Sequence, residues 1–365
     1  MRFNKILYLN YLFLFVVILI MLIGISALYS AADGNFYPWS IRHLYRFCFF
    51  FIGMIIIALI DIKLIFKYSY LFFILLLVLL FSVEIIGTFG KGAERWIKVL
   101  GISIQPSELI KVGIILALAK YYHSLKYDNI ALLRHLLIPF FIIFTPFFLV
   151  IIQPDLGTSL SIFLLGIFIM FASGVRIWKF ILGIVLILIS IPFLWSYLKP
   201  YQQNRVFSFL NPDLDPLGKG YQLIQSKIAL GSGGLTGKGF LQGTQSYLEY
   251  LPEKQTDFIF TLIGEEFGFL GTMFVLFLFS LLILICFYIS IKSFHIFGRI
   301  LSLGVALNLF LYVFLNMSMV TGLMPIVGIP LPLVSYGGTA MLSVMISFGL
   351  LLNADIYYNE KKMEP

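Results

Sequence analysis

Glu108 and Lys111 lie three residues apart in an apolar stretch that opens Gln105-Pro106-Ser107-Glu108. On a helix that spacing puts both side chains on one face. A charged side chain at the centre of a bilayer costs about 2.5–3.5 kcal/mol on insertion scales. The pair must therefore face a cavity or protein partners: it either locks helices together or forms a polar cavity wall. Pro106 suits the first helical turn and places Glu108 near the end of its helix. Asp257 stands directly before another apolar run, in Leu251-Pro-Glu-Lys-Gln-Thr-Asp257. A partly desolvated carboxylate there is suited to take a proton, and it could equally cap the helix. Asp155, in Gln153-Pro154-Asp155, has the same two readings: substrate contact or helix cap.

Several cations accompany these acids. Arg95 can offer a planar donor fork to phosphate while its neighbour Trp96 anchors the interface. Arg205 follows in the segment Tyr201-Gln-Gln-Asn-Arg205. Gly231-Ser-Gly-Gly-Leu-Thr-Gly-Lys238-Gly239 has five glycines in nine residues, so its backbone N–H groups could cradle an anion beside Lys238. Its spacing is not that of a Walker loop. Asp213 and Asp215 sit between prolines and read as a turn. Residues 220–229 read as a short amphipathic helix lying on the membrane. Glu265 and Glu266 place the start of the following span near Phe267. Residues 324–338 hold three prolines and no charge. Irregular backbone at membrane depth is tolerated where it lines a cavity or is buried in protein, so this segment is expected to be a re-entrant wall. Cys48, Cys286 and the four histidines are isolated and show no metal-site or disulfide spacing.

The elements that must hold these residues are apolar. The chain has 365 residues, 61% hydrophobic and 12% charged, against roughly 25% charged in soluble domains. Its mean hydropathy is +1.02. Apolar runs at about 6–29, 46–62, 69–88, 106–122, 136–153, 156–175, 178–197, 259–291, 297–320 and 338–354 each suit one crossing of about 20 residues. The expected fold class is an all-α integral membrane protein of about ten transmembrane helices. Residues 1–365 form a single polytopic domain, with one large extracytoplasmic loop, 198–257, between helices 7 and 8. The first run exceeds the apolar core of about 7–15 residues of a signal peptide and reads as a retained helix. With cytoplasmic termini, thirteen Lys and Arg fall inside, against five (Arg42, Arg46, Lys91, Arg95, Lys98) in the short outer loops. That asymmetry favours cytoplasmic termini. The net charge of +8 thus reflects topology and not nucleic acid, and a basic outer loop could also attract a phosphate-bearing substrate.

Taken in order, the motifs resemble the SEDS family of cell-shape and division proteins. The matching stretches are Arg95-Trp96, Gln105 to Glu108 with Lys111, Gln153-Pro-Asp155, Arg205, Gly231 to Gly239, Gly243-Thr-Gln245, Pro252 to Phe260, Glu265 to Gly268, and Pro332 to Gly338. The wording of Gly243-Thr-Gln245 and Glu253-Lys-Gln-Thr-Asp257 is closer to the elongation branch than to the divisome branch. The resemblance implies a peptidoglycan glycosyltransferase of the bacterial cytoplasmic (inner) membrane. It would polymerise lipid II, the undecaprenyl-diphosphate disaccharide-pentapeptide, for lateral wall elongation, beside a class B penicillin-binding protein transpeptidase. Asp257 is then the catalytic carboxylate. Arg95, Glu108, Lys111, Asp155, Arg205 and Lys238 are substrate-binding candidates, and a divalent cation (Mg or Mn) is an optional aid to the leaving diphosphate. A lipid II flippase and a non-catalytic scaffold are the rival readings.

Overall fold

The computed structural model describes residues 4–86, 88–90, 93–99, 102–125, 130, 132–197, 203, 207, 219–248 and 250–363. Among them the long helices are α1 (Tyr11–Ala31), α2 (Ser40–Leu59), α3 (Ile62–Ile86), α4 (Pro106–Ser124), α5 (Leu137–Ile152), α6 (Leu156–Ala172), α7 (Ile177–Tyr197), α8 (Lys219–Ser232), α9 (Ile259–Lys292), α10 (Ile296–Thr321) and α11 (Gly338–Met363). Among the described residues seven helices are long and apolar enough to cross a membrane, and α6 and α7 are shorter apolar helices. The chain is an integral membrane protein, nearly all helical.

Helix α4 carries three charges, Glu108, Lys111 and Lys120, in its apolar run. It is also among the most enclosed, with nearly every residue from Pro106 to Tyr122 buried. Helices α3, α5, α6, α10 and α11 surround it, so its charges meet protein and not lipid, as their insertion cost demands. Small residues bring the backbones together: a Cβ on Gly304 of α10 would lie 2.7 Å from Ile115 of α4. The outer ring includes α2, packed on α11, and α1, packed on α9. The two ends of the chain meet, with Lys5 paired to Glu360 at 3.6 Å and Asn359 donating to the carbonyl of Tyr8.

Three features depart from the sequence reading. A three-stranded antiparallel sheet, β1 (Thr88–Gly90), β2 (Ala93–Val99) and β3 (Ile102–Ile104), joins α3 to α4, where only an aromatic interface loop was expected. Trp96 pairs with Thr88, and Ile97 with Ile104. Helix α8 does not rest its apolar face on the membrane. It packs on α9 and α10, burying Leu223, Ser226 and Ala229, with the Ser226 hydroxyl bonded to Thr261 and to the carbonyl of Val320.

The glycine run is the third. Its N–H groups do not form an anion cradle: those of Gly237, Lys238 and Gly239 donate to the carbonyls of Gly233, Glu265 and Glu266. The run instead serves a break in α9 at Gly268, whose φ of 65° and ψ of −160° belong to a region that is essentially glycine's alone. The N–H groups of Phe269 and Leu270, just past the break, donate to Gly234 and Leu235 at 2.9 and 3.1 Å. A side chain at Gly237 would collide with the carbonyl of Glu266, so the run must be glycine-rich to lie so close.

Candidate functional site

Four helices begin around one cavity of about 320 Å³. Gln105, the N-cap of α4, lines it together with Glu108 one turn on. Asp155, the N-cap of α6, lines it with Thr158. Asp257 and Phe258, the latter the N-cap of α9, form another wall, and Gly337, Thr339 and Ala340 bring in the start of α11. Trp96 of β2 and Gln222 of α8 lie at the rim, and residues 326–328 with Pro330 and Tyr336 supply the irregular wall anticipated for 324–338.

The acids are held in different ways. Glu108 is buried. Its Oε1 accepts from Lys111 Nζ at 3.0 Å and its Oε2 from the hydroxyl of Tyr312. The same ammonium lies 3.9 Å over the Tyr312 ring. Lys111 thus sits behind Glu108 and does not reach the cavity lining. Asp155 does cap α6: its carboxylate accepts from the Thr158 N–H at 3.3 Å and hydroxyl at 3.0 Å. It also accepts from Gln105 Nε2 at 3.1 Å. The cap and the cavity contact therefore coexist in one residue.

Asp257 is not the cap of α9. That position belongs to Phe258, which makes no side-chain cap bond. Asp257 is half-buried, in a turn fastened on both sides. Asn316 of α10 donates to the carbonyls of Asp257 at 3.0 Å and Ile329 at 2.7 Å. Ser335 donates to the carbonyl of Thr256 at 2.5 Å, and the N–H of Tyr336 to that of Gln255 at 2.8 Å. Lys254 is paired to Asp33, just past α1, at 3.5 Å. A Cβ on Gly328, which has a φ of +74°, would stand 3.3 Å from Asp257 Oδ2, so glycine there keeps the irregular wall close to the carboxylate.

Glu108, Asp155 and Asp257 are thereby brought together, with Lys111 one shell back. Lys238 is not among them. Its Nζ is held at 2.7 Å by both Glu265 and Thr244, outside the cavity lining. Arg205 and the side chain of Arg95 lie outside the described residues. Glu253 also lines the cavity; it, Tyr312 and Asn316 were given no role from sequence, and neither was Arg46, whose guanidinium lies 4.7 Å over the Tyr336 ring. Among the described residues no three His, Cys, Asp or Glu side chains could hold a metal ion together.

The family model of the FtsW, RodA and SpoVE proteins, described as "Cell cycle protein", matches residues 5–360. The chain belongs to this SEDS family. Its relatives include the peptidoglycan glycosyltransferase MrdB of Escherichia coli K12, 45% identical over 289 residues, which are 77% of this chain and 76% of that one. A probable peptidoglycan glycosyltransferase FtsW of Wigglesworthia glossinidia brevipalpis is 35% identical and covers 96% of this chain and 94% of its own. Among solved structures, a chain from work on coordinated polymerization and crosslinking by a peptidoglycan synthase complex superposes with a TM-score of 0.82 at 26% identity, covering 98% of this chain and 99% of that one. The Thermus thermophilus rod shape determining protein RodA shares the fold, with a TM-score of 0.69 at 24% identity and 98% of each chain covered.

Proposed function

We propose that this SEDS protein polymerises lipid II at the outer face of the membrane, for lateral wall growth, with Asp257 as general base. The activity, peptidoglycan glycosyltransferase, is that of its MrdB relative. The observation that supports Asp257 is its position relative to its neighbours. Asp257 stands half-buried at the cavity wall, directly before α9, with its backbone carbonyl clamped by Asn316 of α10.

The acceptor sugar's 4-hydroxyl attacks the donor anomeric carbon. The O–H bond breaks as the new C–O bond forms, and the proton passes to the Asp257 carboxylate. The anomeric carbon–oxygen bond to diphosphate breaks, and diphosphate leaves with the electron pair. One carboxylate suffices, because diphosphate needs no protonation. Glycosidases, with a poorer leaving group, use two carboxylates. In-line displacement inverts the donor carbon. Negative charge on the departing diphosphate calls for preorganised positive potential. Each helix N-terminus carries about half a positive charge, and α4, α6, α9 and α11 all begin at this cavity. Arg95 and Arg205 remain the side-chain candidates, and Lys111 contributes through Glu108.

The reading includes a class B transpeptidase partner, in keeping with the polymerization and crosslinking named for the structural neighbour. The cavity gathers at the starts of four helices, and the stretch of α4 beyond Lys111 is buried in protein. That geometry favours a polymerase over a flippase, which needs a polar path through the bilayer. In a reconstituted assay with lipid II and the transpeptidase partner, wild type should give glycan ladders. Asp257→Asn should lower the rate by about 10²–10⁴-fold, the usual contribution of a general base. Full activity in Asp257→Asn, with Glu253→Gln inactive, would move the base to Glu253.

A further inference from the structure

A second cavity, of about 200 Å³, lies at the opposite end of the same buried helix. It is lined by Ile62, Lys63 and Phe66 of α3, His123 of α4, His295 and Phe297 at the start of α10, and Tyr357 of α11. Glu108, at the first cavity, and His123, at the second, are fifteen residues apart on α4, or about 22 Å at the helical rise. If the first cavity is outside, the second sits at the cytoplasmic membrane boundary.

Its chemistry is one-sided. The lining holds an ammonium, two imidazoles and a phenol, and no acid. His123 Nδ1 is buried without a hydrogen-bond partner. His295 is the N-cap of the 26-residue α10, so the positive end of that helix lies at this cavity. Lys63 is exposed and can swing its ammonium over the opening. Lys120 lies 5.0 Å over the Phe66 ring and adds positive charge behind that wall. Phe66, Phe297 and Ile62 supply apolar surface beside the donors. Histidine, lysine and the N–H groups of a helix N-terminus together recognise a phosphate oxygen, and the apolar wall suits a body that continues into the bilayer.

We propose that this cavity binds a phosphate-bearing anion at the membrane boundary, either the headgroup of an anionic phospholipid or free phosphate. The proposal is independent of the glycosyltransferase reading. The test is native mass spectrometry of the full chain in detergent, incubated with phosphatidylglycerol or phosphatidylcholine, with and without inorganic phosphate. Wild type should retain phosphatidylglycerol over phosphatidylcholine. Lys63→Gln and His123→Gln should each weaken retention by about tenfold, as expected for loss of one charge-assisted hydrogen bond. Lys63 is exposed, so its variant tests binding without threatening the fold. Retention unaffected by inorganic phosphate assigns the site to a lipid headgroup. Displacement by phosphate, with the same sensitivity to both variants, assigns it to the free anion. Equal retention of the two lipids, or no effect of either substitution, overturns the proposal.

Discussion

Glu108 is the clearest case of a charge that the fold must keep paired. Its carboxylate is buried against Lys111 and Tyr312, and Lys111 is equally enclosed. Removing one member of a buried pair leaves an uncompensated charge, at a cost of about 3–5 kcal/mol. Lys111→Met should therefore lower the thermal unfolding midpoint in detergent sharply, and adding Glu108→Gln should restore most of it. If the double variant is no better than the single, an uncompensated buried charge is not the cause of the loss. Asn316 makes a finer contribution. Asn316→Leu leaves the carbonyls of Asp257 and Ile329 without this donor, each worth about 1–3 kcal/mol if left unsatisfied. The expected kinetic signature is a lower kcat with little change in KM, because the change falls on the position of the base and not on substrate contacts. These residues were partly legible. Asn308, Tyr312 and Asn316 recur at i, i+4 and i+8 in an apolar run, and polar groups at that spacing in a membrane helix mark one buried face. Their partners were not legible, because Glu108 and Asp257 come from distant parts of the chain.

Among the elements, α9 is the one whose geometry is least like a standard span. The acidic pair at its start places the span near Phe267, and the helix does break one residue later, at Gly268. The glycine run's role was not visible in the sequence, since it depends on hydrogen bonds between segments some 35 residues apart. Glycines that let backbone approach a ligand and glycines that let backbone approach backbone read alike until the partner is seen. Gly268→Ala forces a side chain into a backbone region that costs about 1–3 kcal/mol. It also drives that side chain against Gly237. It should unfold or misassemble the loop, seen as faster proteolysis between 231 and 245. Gly231→Ala is the control. That glycine lies in α8 with open space at its Cβ, where alanine should be neutral or gain about 0.5–1 kcal/mol. Equal protease sensitivity in the two variants would remove the strap from the account of α9.

At the scale of the molecule, hydropathy made the class of the protein legible, and motif order its family. Neither could show that the starts of α4, α6, α9 and α11 meet at one cavity, because that depends on helix packing and not on any local pattern. The small sheet escaped for a related reason: seven residues of β2 are too few, and too mixed, to stand out beside long apolar runs. What the sequence did supply was a direction, through the excess of Lys and Arg in alternate loops. The structure adds that the chain's two ends lie together. On the proposed orientation, the cavity and the glycine strap lie outside and the turn before α5 inside. Leu235 in the strap and Leu133 in that turn are both well exposed, at 71% and 69%, so cysteines there report on orientation. In a Cys48→Ala background, a membrane-impermeant maleimide on intact spheroplasts should label Leu235→Cys and spare Leu133→Cys until the membrane is permeabilised. The reverse pattern would place the cavity on the cytoplasmic side, where it could not build wall from a lipid-linked precursor exposed outside.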